Sequence, residues 1–217
     1  MRKRSISGQI TIRSADEPIR MWPWEHVVVG YVAFSIFSRL VYRAPPGDWA
    51  TLAVVFGSLL PDLVDKPLAW QFGVFETGYA LAHSVFIAVP VCAAVWLFAR
   101  RRNRGSVGAG FTVGYLAHLP ADVIPYYLLT GRWMPERILW PVRTAEPARD
   151  HQVGVVDQML VYFIPYLRQL LSGDPSPYLV GVLAFCGFAF VLWVLDGTPG
   201  IAPFVDGVSG IVRRLTP

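Results

Sequence analysis

The chain has 217 residues, of which 54% are hydrophobic and only 16% are charged, and its mean hydropathy is +0.44. A soluble domain contains about 25% charged residues, so the composition argues against an ordinary soluble globular domain and favours a membrane protein. The net charge of +4 does not indicate a nucleic-acid-binding protein. Most of the excess Lys and Arg lies in short runs beside apolar segments, without the interleaved aromatic residues of a single-strand binding surface.

Residues 1–20 differ from the rest of the chain, because they are polar, basic and without apolar periodicity. We expect them to be a disordered extension, or else a mis-assigned start, with translation beginning at Met21. The remainder, 21–217, is expected to form one membrane-embedded domain, since its length suits a single domain.

Five apolar runs approach or reach the roughly 20 residues that a membrane-spanning helix needs. They are 26–42, 49–64, 79–99, 106–129 and 178–195. Their succession predicts an all-α fold, a polytopic membrane helical bundle with about five hydrophobic segments and a multi-pass location in the cell membrane. The connection 66–80 is predicted as a loop or short helix. Within the long, Pro- and Arg-rich stretch 130–177, residues 156–171 have the pattern of an interfacial helix.

Histidine and aspartate residues recur at the ends of the first four apolar segments. Ionisable groups inside membrane segments are costly and mark function by default. In an up-down bundle the start of segment one, the end of two, the start of three and the end of four lie at one membrane face. The candidates are His26, Asp62, Asp65, His83, His118 and Asp122.

The candidate residues are of the types that bind transition metals. Imidazole together with carboxylate suits zinc, with manganese and iron as alternatives. Six ligands exceed what one open catalytic zinc uses, so a two-metal site fits the pattern. The alternative interpretation is structural coincidence, in which the histidines are hydrogen-bonded packing residues and the aspartates form helix ends or ion pairs.

Neighbouring residues add further hypotheses. Asp65 is the candidate for orienting or deprotonating water as a catalytic carboxylate. Lys66, which follows it, is interpreted either as a contact for an anionic substrate or as a simple charge partner of the acids. His151 and Asp157 are interpreted either as a lid contribution to the site or, preferably, as part of a solvated loop.

Four motifs carry a resemblance to a known family. They are H-x3-GY from His26 to Tyr31, GSLLPDLVDK from Gly57 to Lys66, AHS from Ala82 to Ser84 and GYLAHLPAD from Gly114 to Asp122. In this order they resemble the bacterial and archaeal family of inner-membrane, metal-dependent hydrolases over roughly 21–130. The order is also similar to that of zinc-dependent phospholipase C. This similarity implies zinc-ligand roles for five residues, namely His26, Asp62, His83, His118 and Asp122.

Two functional hypotheses follow. In the first, a membrane-embedded hydrolase uses a metal ion to activate water against a phosphoester or another ester, and the substrate is a small molecule or is lipid-linked. In the second, the chain is a non-enzymatic membrane protein that binds or carries metal. A carrier needs polar groups along a path through both leaflets, whereas here they gather at one face, so the hydrolase is favoured. Membrane lipids are the expected surroundings.

The basic residues also predict an orientation. Short loops rich in Lys and Arg lie on the cytoplasmic side. Arginines mark the turn after segment one, the turn after segment three at 100–104, and the tail after segment five. The three places lie on the same face of an up-down bundle, opposite the histidines and aspartates. We therefore expect the site to face away from the cytoplasm, although the basic residues of 1–20 would then lie outside.

Overall fold

The computed structural model describes residues 21–146 and 154–215, and all regular secondary structure in these two ranges is helical. This confirms the predicted all-α class. The helices are α1 (Pro23–Val41), α2 (Asp48–Trp70), α3 (Val85–Arg101), α4 (Gly105–Ala121), α5 (Ile124–Thr130), α6 (Val155–Leu171), α7 (Pro177–Leu195) and α8 (Ile201–Leu215). The predicted extension 1–20 and His151 lie outside the described residues.

Helix α4 lies at the centre of a four-helix bundle, because it packs against α1, α2 and α3. Two clusters of buried apolar side chains hold the bundle together. Between α3 and α4 the buried residues are Ala88, Cys92, Phe111, Tyr115 and Leu119. Among α1, α2 and α4 they are Phe34, Ala50, Val54 and Ala109.

Glycines allow α2 and α4 to approach until their backbones touch. A methyl group added to Gly114 of α4 would collide with the carbonyl oxygen of Val54, and one added to Gly57 of α2 would collide with that of Phe111. Small residues at such positions are the usual means of close packing between membrane helices. The close approach fixes the ends of α2 and α4 relative to each other.

We expect the Gly114→Ala variant to unfold at a lower temperature than the wild type, because the two helices must separate to admit the methyl group. Overpacking of this kind costs about 1–3 kcal/mol. Thermal unfolding in detergent measures the effect. Gly187→Ala in α7 is the matched control, since nothing lies within 4 Å of an added Cβ there. Equal unfolding temperatures for the two variants would show that the close approach is dispensable.

The prediction of about five membrane-spanning segments is corrected by the structure. Of the described helices, only α7 is long and apolar enough to cross a membrane, with a hydropathy of 2.4. Helices α3 and α4 have 17 residues each, fewer than the roughly 20 that a span needs. Helix α2 is long enough but carries charged residues, which are Asp48, Asp62, Asp65 and Lys66.

The predicted segment 79–99 starts later as a helix, at Val85. The turn before it is non-helical, and three of its backbone N–H groups donate to the carboxylate of Asp65. These donors are therefore satisfied by a side chain from α2 rather than by a helical turn. The carboxylate in effect delays the start of α3.

Two other predicted boundaries also differ. The segment 106–129 is divided into α4 and α5, since the ring of Pro125 would clash with the carbonyl of Ala121 in a continuous helix. Conversely, the predicted segment 49–64 is too short, because α2 continues to Trp70 with two prolines inside it. The first residues of the connection 66–80, which was predicted as a loop or short helix, therefore belong to α2.

Helix α6 packs one buried polar residue and several aromatic rings against the bundle and exposes many apolar side chains. Gln158 is buried, the ring of Tyr162 contacts Trp70 of α2, and the ring of Phe163 contacts Trp22 at the N-cap of α1. The exposed apolar side chains are Val156, Met159, Leu160, Val161, Ile164, Leu167, Leu170 and Leu171. The helix spans the predicted 156–171 with one further residue, and its interfacial location stays a prediction.

Helix α7 is attached to the bundle through α1. The carboxylate of Asp196, which caps α7, is buried and accepts hydrogen bonds from the Tyr31 hydroxyl at 2.6 Å and the Ser35 hydroxyl at 2.7 Å. Arg39 forms an ion pair with the other oxygen of this carboxylate. A buried charge with these partners is satisfied, so the apolar helix has a fixed polar anchor on α1.

Candidate metal centre

The structure places all six predicted His and Asp residues at one end of the bundle. The start of α1, the end of α2, the start of α3 and the end of α4 meet there. Each of the six side chains belongs to a residue that is 6% exposed or less. They are His26 in the first turn of α1, Asp62 and Asp65 near the end of α2, His83 directly before α3, His118 in the last turn of α4 and Asp122 at its C-cap.

Two imidazole rings face each other at the centre of this group. Nδ1 of His83 lies 2.8 Å from Asp65 Oδ2, and Nδ1 of His118 lies 2.7 Å from the carbonyl oxygen of Ser58. Both partners accept, so in the neutral rings each Nδ1 carries the proton and each Nε2 presents a lone pair. The two Nε2 atoms are 3.1 Å apart. Such lone pairs repel unless a cation or a proton lies between them.

Two carboxylates surround the facing nitrogens. Asp122 Oδ2 lies 3.2 Å from His118 Nε2 and 3.4 Å from His83 Nε2. Asp62 Oδ1 lies 3.4 Å from His83 Nε2 and 3.8 Å from His118 Nε2. Both oxygens are buried and have no hydrogen-bond partner among the described residues. Buried carboxylate oxygens are costly without partners, and these two are directed at the same place as the imidazoles.

His26 completes the arrangement. Its ring stacks on that of His118 with 3.8 Å between centroids, and Nε2 lies 3.5 Å from Asp122 Oδ1. Neither ring nitrogen has a hydrogen-bond partner in the described part of the chain. Two groups of three residues can each offer ligand atoms to a metal ion, and within each group these atoms lie within 4.8 Å of one another. The first group is His26, Asp62 and His118, and the second is His83, His118 and Asp122.

Asp65 differs from the other two aspartates because its oxygens are already engaged. They accept from the backbone N–H groups of Ala80, Ala82 and His83 at 2.9–3.0 Å, in addition to His83 Nδ1. A metal ion or a water molecule would have to compete with these bonds. The geometry gives Asp65 a role in holding His83, while its predicted roles as ligand and water-orienting carboxylate stay predictions.

The centre carries an excess of negative charge. Of its three carboxylates, Asp62, Asp65 and Asp122, only that of Asp62 is paired with a lysine or arginine among the described residues, namely Lys66. Burial disfavours a charged imidazole, yet the nearby carboxylates of Asp122, Asp62 and Asp65 raise the pKa of His83 well above its ordinary value. The negative charge of the site thus favours a proton at the position between the rings. A divalent cation at that position would balance the same negative charge and would be bound by more of the surrounding nitrogen and oxygen atoms. The donor set and the charge fit such a cation.

Lys66 lies beside the cluster as predicted from the sequence. Its Nζ is 2.6 Å from Asp62 Oδ2 and 5.8 Å from the ring centroid of Trp70. It is therefore a charge partner of Asp62 in this structure, and a contact with substrate stays a prediction. Asp157, in contrast, is exposed in the first turn of α6 and therefore lies in a helix rather than in a loop.

Two buried charged residues beside the cluster were not singled out from the sequence. Arg137 donates a hydrogen bond to the backbone carbonyl of Asp122 at 2.7 Å. Glu25, next to His26, accepts from Trp22 N–H at 3.2 Å and from the Tyr178 hydroxyl at 2.8 Å. Arg137 comes from a stretch without periodicity, so no pattern pointed to it. Glu25 directly precedes His26 at the start of an apolar segment. An ionisable residue at the end of an apolar segment is the signal that identified the six His and Asp residues, and it could also have identified Glu25.

Comparison with known families supports the membrane part of the predicted resemblance. The family model of the YdjM inner membrane protein matches residues 21–198. No curated protein and no solved structure matches the chain significantly. The match covers more than half of the chain and includes the apolar helix α7 and all six His and Asp residues. The chain therefore belongs to the YdjM inner membrane protein family.

Proposed function

We propose that this protein is a membrane-bound, metal-dependent hydrolase that acts on a phosphoester or another ester. One or two divalent ions would be held by five residues, His26, Asp62, His83, His118 and Asp122. The observation that carries the proposal is the pair of facing Nε2 atoms, 3.1 Å apart and surrounded by unpartnered carboxylate oxygens. Buried polar groups in a purely structural core normally have hydrogen-bond partners, so this many unpartnered acceptors directed at one point are not expected there.

Zinc is the first choice of metal, because imidazole nitrogen and carboxylate oxygen are its ordinary ligands, with manganese and iron as alternatives. A divalent ion bound there would supply Lewis acidity and make water a stronger nucleophile. The chain's own contribution is orientation. Asp65 and the Ser58 carbonyl fix the ring orientations of His83 and His118, the outer-sphere support that metal-binding histidines require.

The outward surfaces of the chain support a lipid-linked substrate. Helix α6 contacts Trp22 and Trp70, at the ends of α1 and α2 where the site lies, and its outer side is apolar. The bundle also exposes apolar side chains on α1, α2 and α3, such as Leu40, Phe56 and Phe98. A helix with one apolar side, such as α6, is typical of those that lie at the acyl-chain boundary of a bilayer. We infer that the bundle is surrounded by lipid and that substrate reaches the site from the membrane.

A substrate panel tests the proposed activity. Detergent-purified protein should hydrolyse at least one of three classes, phosphodiesters, phosphomonoesters or carboxylic esters. A chelator should abolish the turnover, and added zinc or manganese should restore it. Stoichiometric metal with no turnover of any class, in detergent and in lipid vesicles, would instead favour the non-enzymatic metal-binding protein.

A further inference from the structure

Arg137 is a buried cation held between two aromatic rings beside the candidate metal centre. The residue is 5% exposed. Its guanidinium carbon lies 5.1 Å from the ring centroid of Tyr79 and 4.9 Å from that of Tyr126. One of its N–H groups donates to the backbone carbonyl of Asp122 at 2.7 Å. These contacts fix the plane of the guanidinium.

The charge of Arg137 is not matched by a carboxylate within 21–146 and 154–215. Two other cations of this protein have such partners, since Lys66 pairs with Asp62 and Arg39 with Asp196. A guanidinium has five N–H donors in a planar fork, and one carbonyl uses only part of them. The tyrosine faces offset some of the cost of burial, but they accept no strong hydrogen bond. Arg137 therefore has donors left for an anion.

Its position borders the donor cluster. The ring of Tyr79, which lies against the guanidinium, also packs on the ring of His83 with 5.0 Å between centroids. The carbonyl that accepts from Arg137 belongs to Asp122, whose side chain faces His83 and His118. An anion on the guanidinium would thus lie next to any cation held by the cluster.

We propose that Arg137 binds the anionic oxygens of a phosphate ester at this centre, so that the substrate class is a phosphoester rather than a carboxylic ester. The proposal rests on the proposed function. A planar guanidinium matches two oxygens of a phosphoryl group in a bidentate pair, whereas a neutral carboxylic ester brings no anion to it. Lys66, already paired with Asp62, is the weaker candidate for this role.

Inorganic phosphate is the probe. Zinc-loaded, detergent-purified protein, freed of excess metal, is titrated with phosphate in a calorimeter, and metal content is measured on the same samples. We expect Arg137→Gln to retain its metal and to bind phosphate about 10–100-fold more weakly than the wild type, because a charge-assisted bidentate pair is lost. Arg137→Lys should fall between the two. Arg132→Gln is the matched control, since Arg132 is exposed a few residues away, and it should bind phosphate as the wild type does.

Each failure has its own signature. Equal phosphate affinity in the wild type and Arg137→Gln would make Arg137 a packing residue and overturn the proposal. If the Arg137 variants lose their metal or do not fold, the test uses the wild type alone. A wild type that binds phosphate no more tightly than acetate would also overturn the proposal. If the wild type holds no metal, the proposed function fails, and phosphate binding to the metal-free protein still tests Arg137.

Discussion

Replacing His118 by alanine should lower the affinity for zinc by more than the roughly 10–100-fold that follows the loss of an outer-sphere partner. His118 is the residue shared by both sets of donors, so its removal leaves each set with two ligands. The ring also stacks on that of His26, whose nitrogens have no hydrogen-bond partner among the described residues, so its loss leaves His26 free to turn away. Competition with a chelator of known affinity measures the change.

The control for this variant must create a cavity without removing a ligand. Leu119→Ala does so, because Leu119 is the next residue of α4 and is 4% exposed in the apolar cluster. It should lose stability, typically about 2–5 kcal/mol for a buried leucine, and keep its metal. Zinc affinity that falls equally in both variants would attribute the effect to damaged packing. Unchanged affinity in His118→Ala would exclude the shared ligand.

The Asp65→Asn variant should lose metal affinity by about 10–100-fold, the usual effect of removing a partner that orients a metal-binding histidine. The amide would place an N–H₂ group among the backbone N–H donors of the turn before α3, and His83 would lose its fixed orientation. Turnover at saturating metal should recover in large part, because the ligands themselves remain. Zinc titration and turnover, measured on the same preparation, separate the two effects.

This experiment distinguishes two roles for Asp65. A carboxylate that orients water, as the sequence suggested, would leave metal affinity unchanged while turnover falls at every metal concentration. A carboxylate that holds His83 would produce the reverse. Asp157→Asn is the control, since Asp157 is exposed on α6 and the substitution should change neither quantity.

Much of the arrangement could be predicted because it depends on local patterns. Apolar runs gave α1 and α7 within a few residues, and counting their alternating directions put His26, Asp62, His83 and Asp122 at one end. The sequence could not show that the aspartates of the site have different roles. Asp62 and Asp65 are three residues apart on the same helix, and only the folded turn before α3 shows that Asp65 is saturated by backbone donors.

Other features escaped prediction because they depend on contacts between distant segments. Arg137 lies in a stretch with no periodicity, and its importance comes from contacts with Tyr79, Tyr126 and Asp122, which only the folded chain brings together. The number of spans was overestimated for a related reason. Apolar composition alone cannot distinguish a helix facing lipid from α2, whose charged residues face other helices, or from a short helix such as α4.

Metal content of the wild type tests the central claim most directly. The protein is purified in detergent without chelator, and elemental analysis gives the number of divalent ions per chain. X-ray absorption at the edge of the metal found identifies its ligands. We expect about one or two ions per chain, most of them zinc, with histidine nitrogen and carboxylate oxygen as ligands. Absence of stoichiometric metal, together with no uptake from added zinc, manganese or iron, would contradict the account.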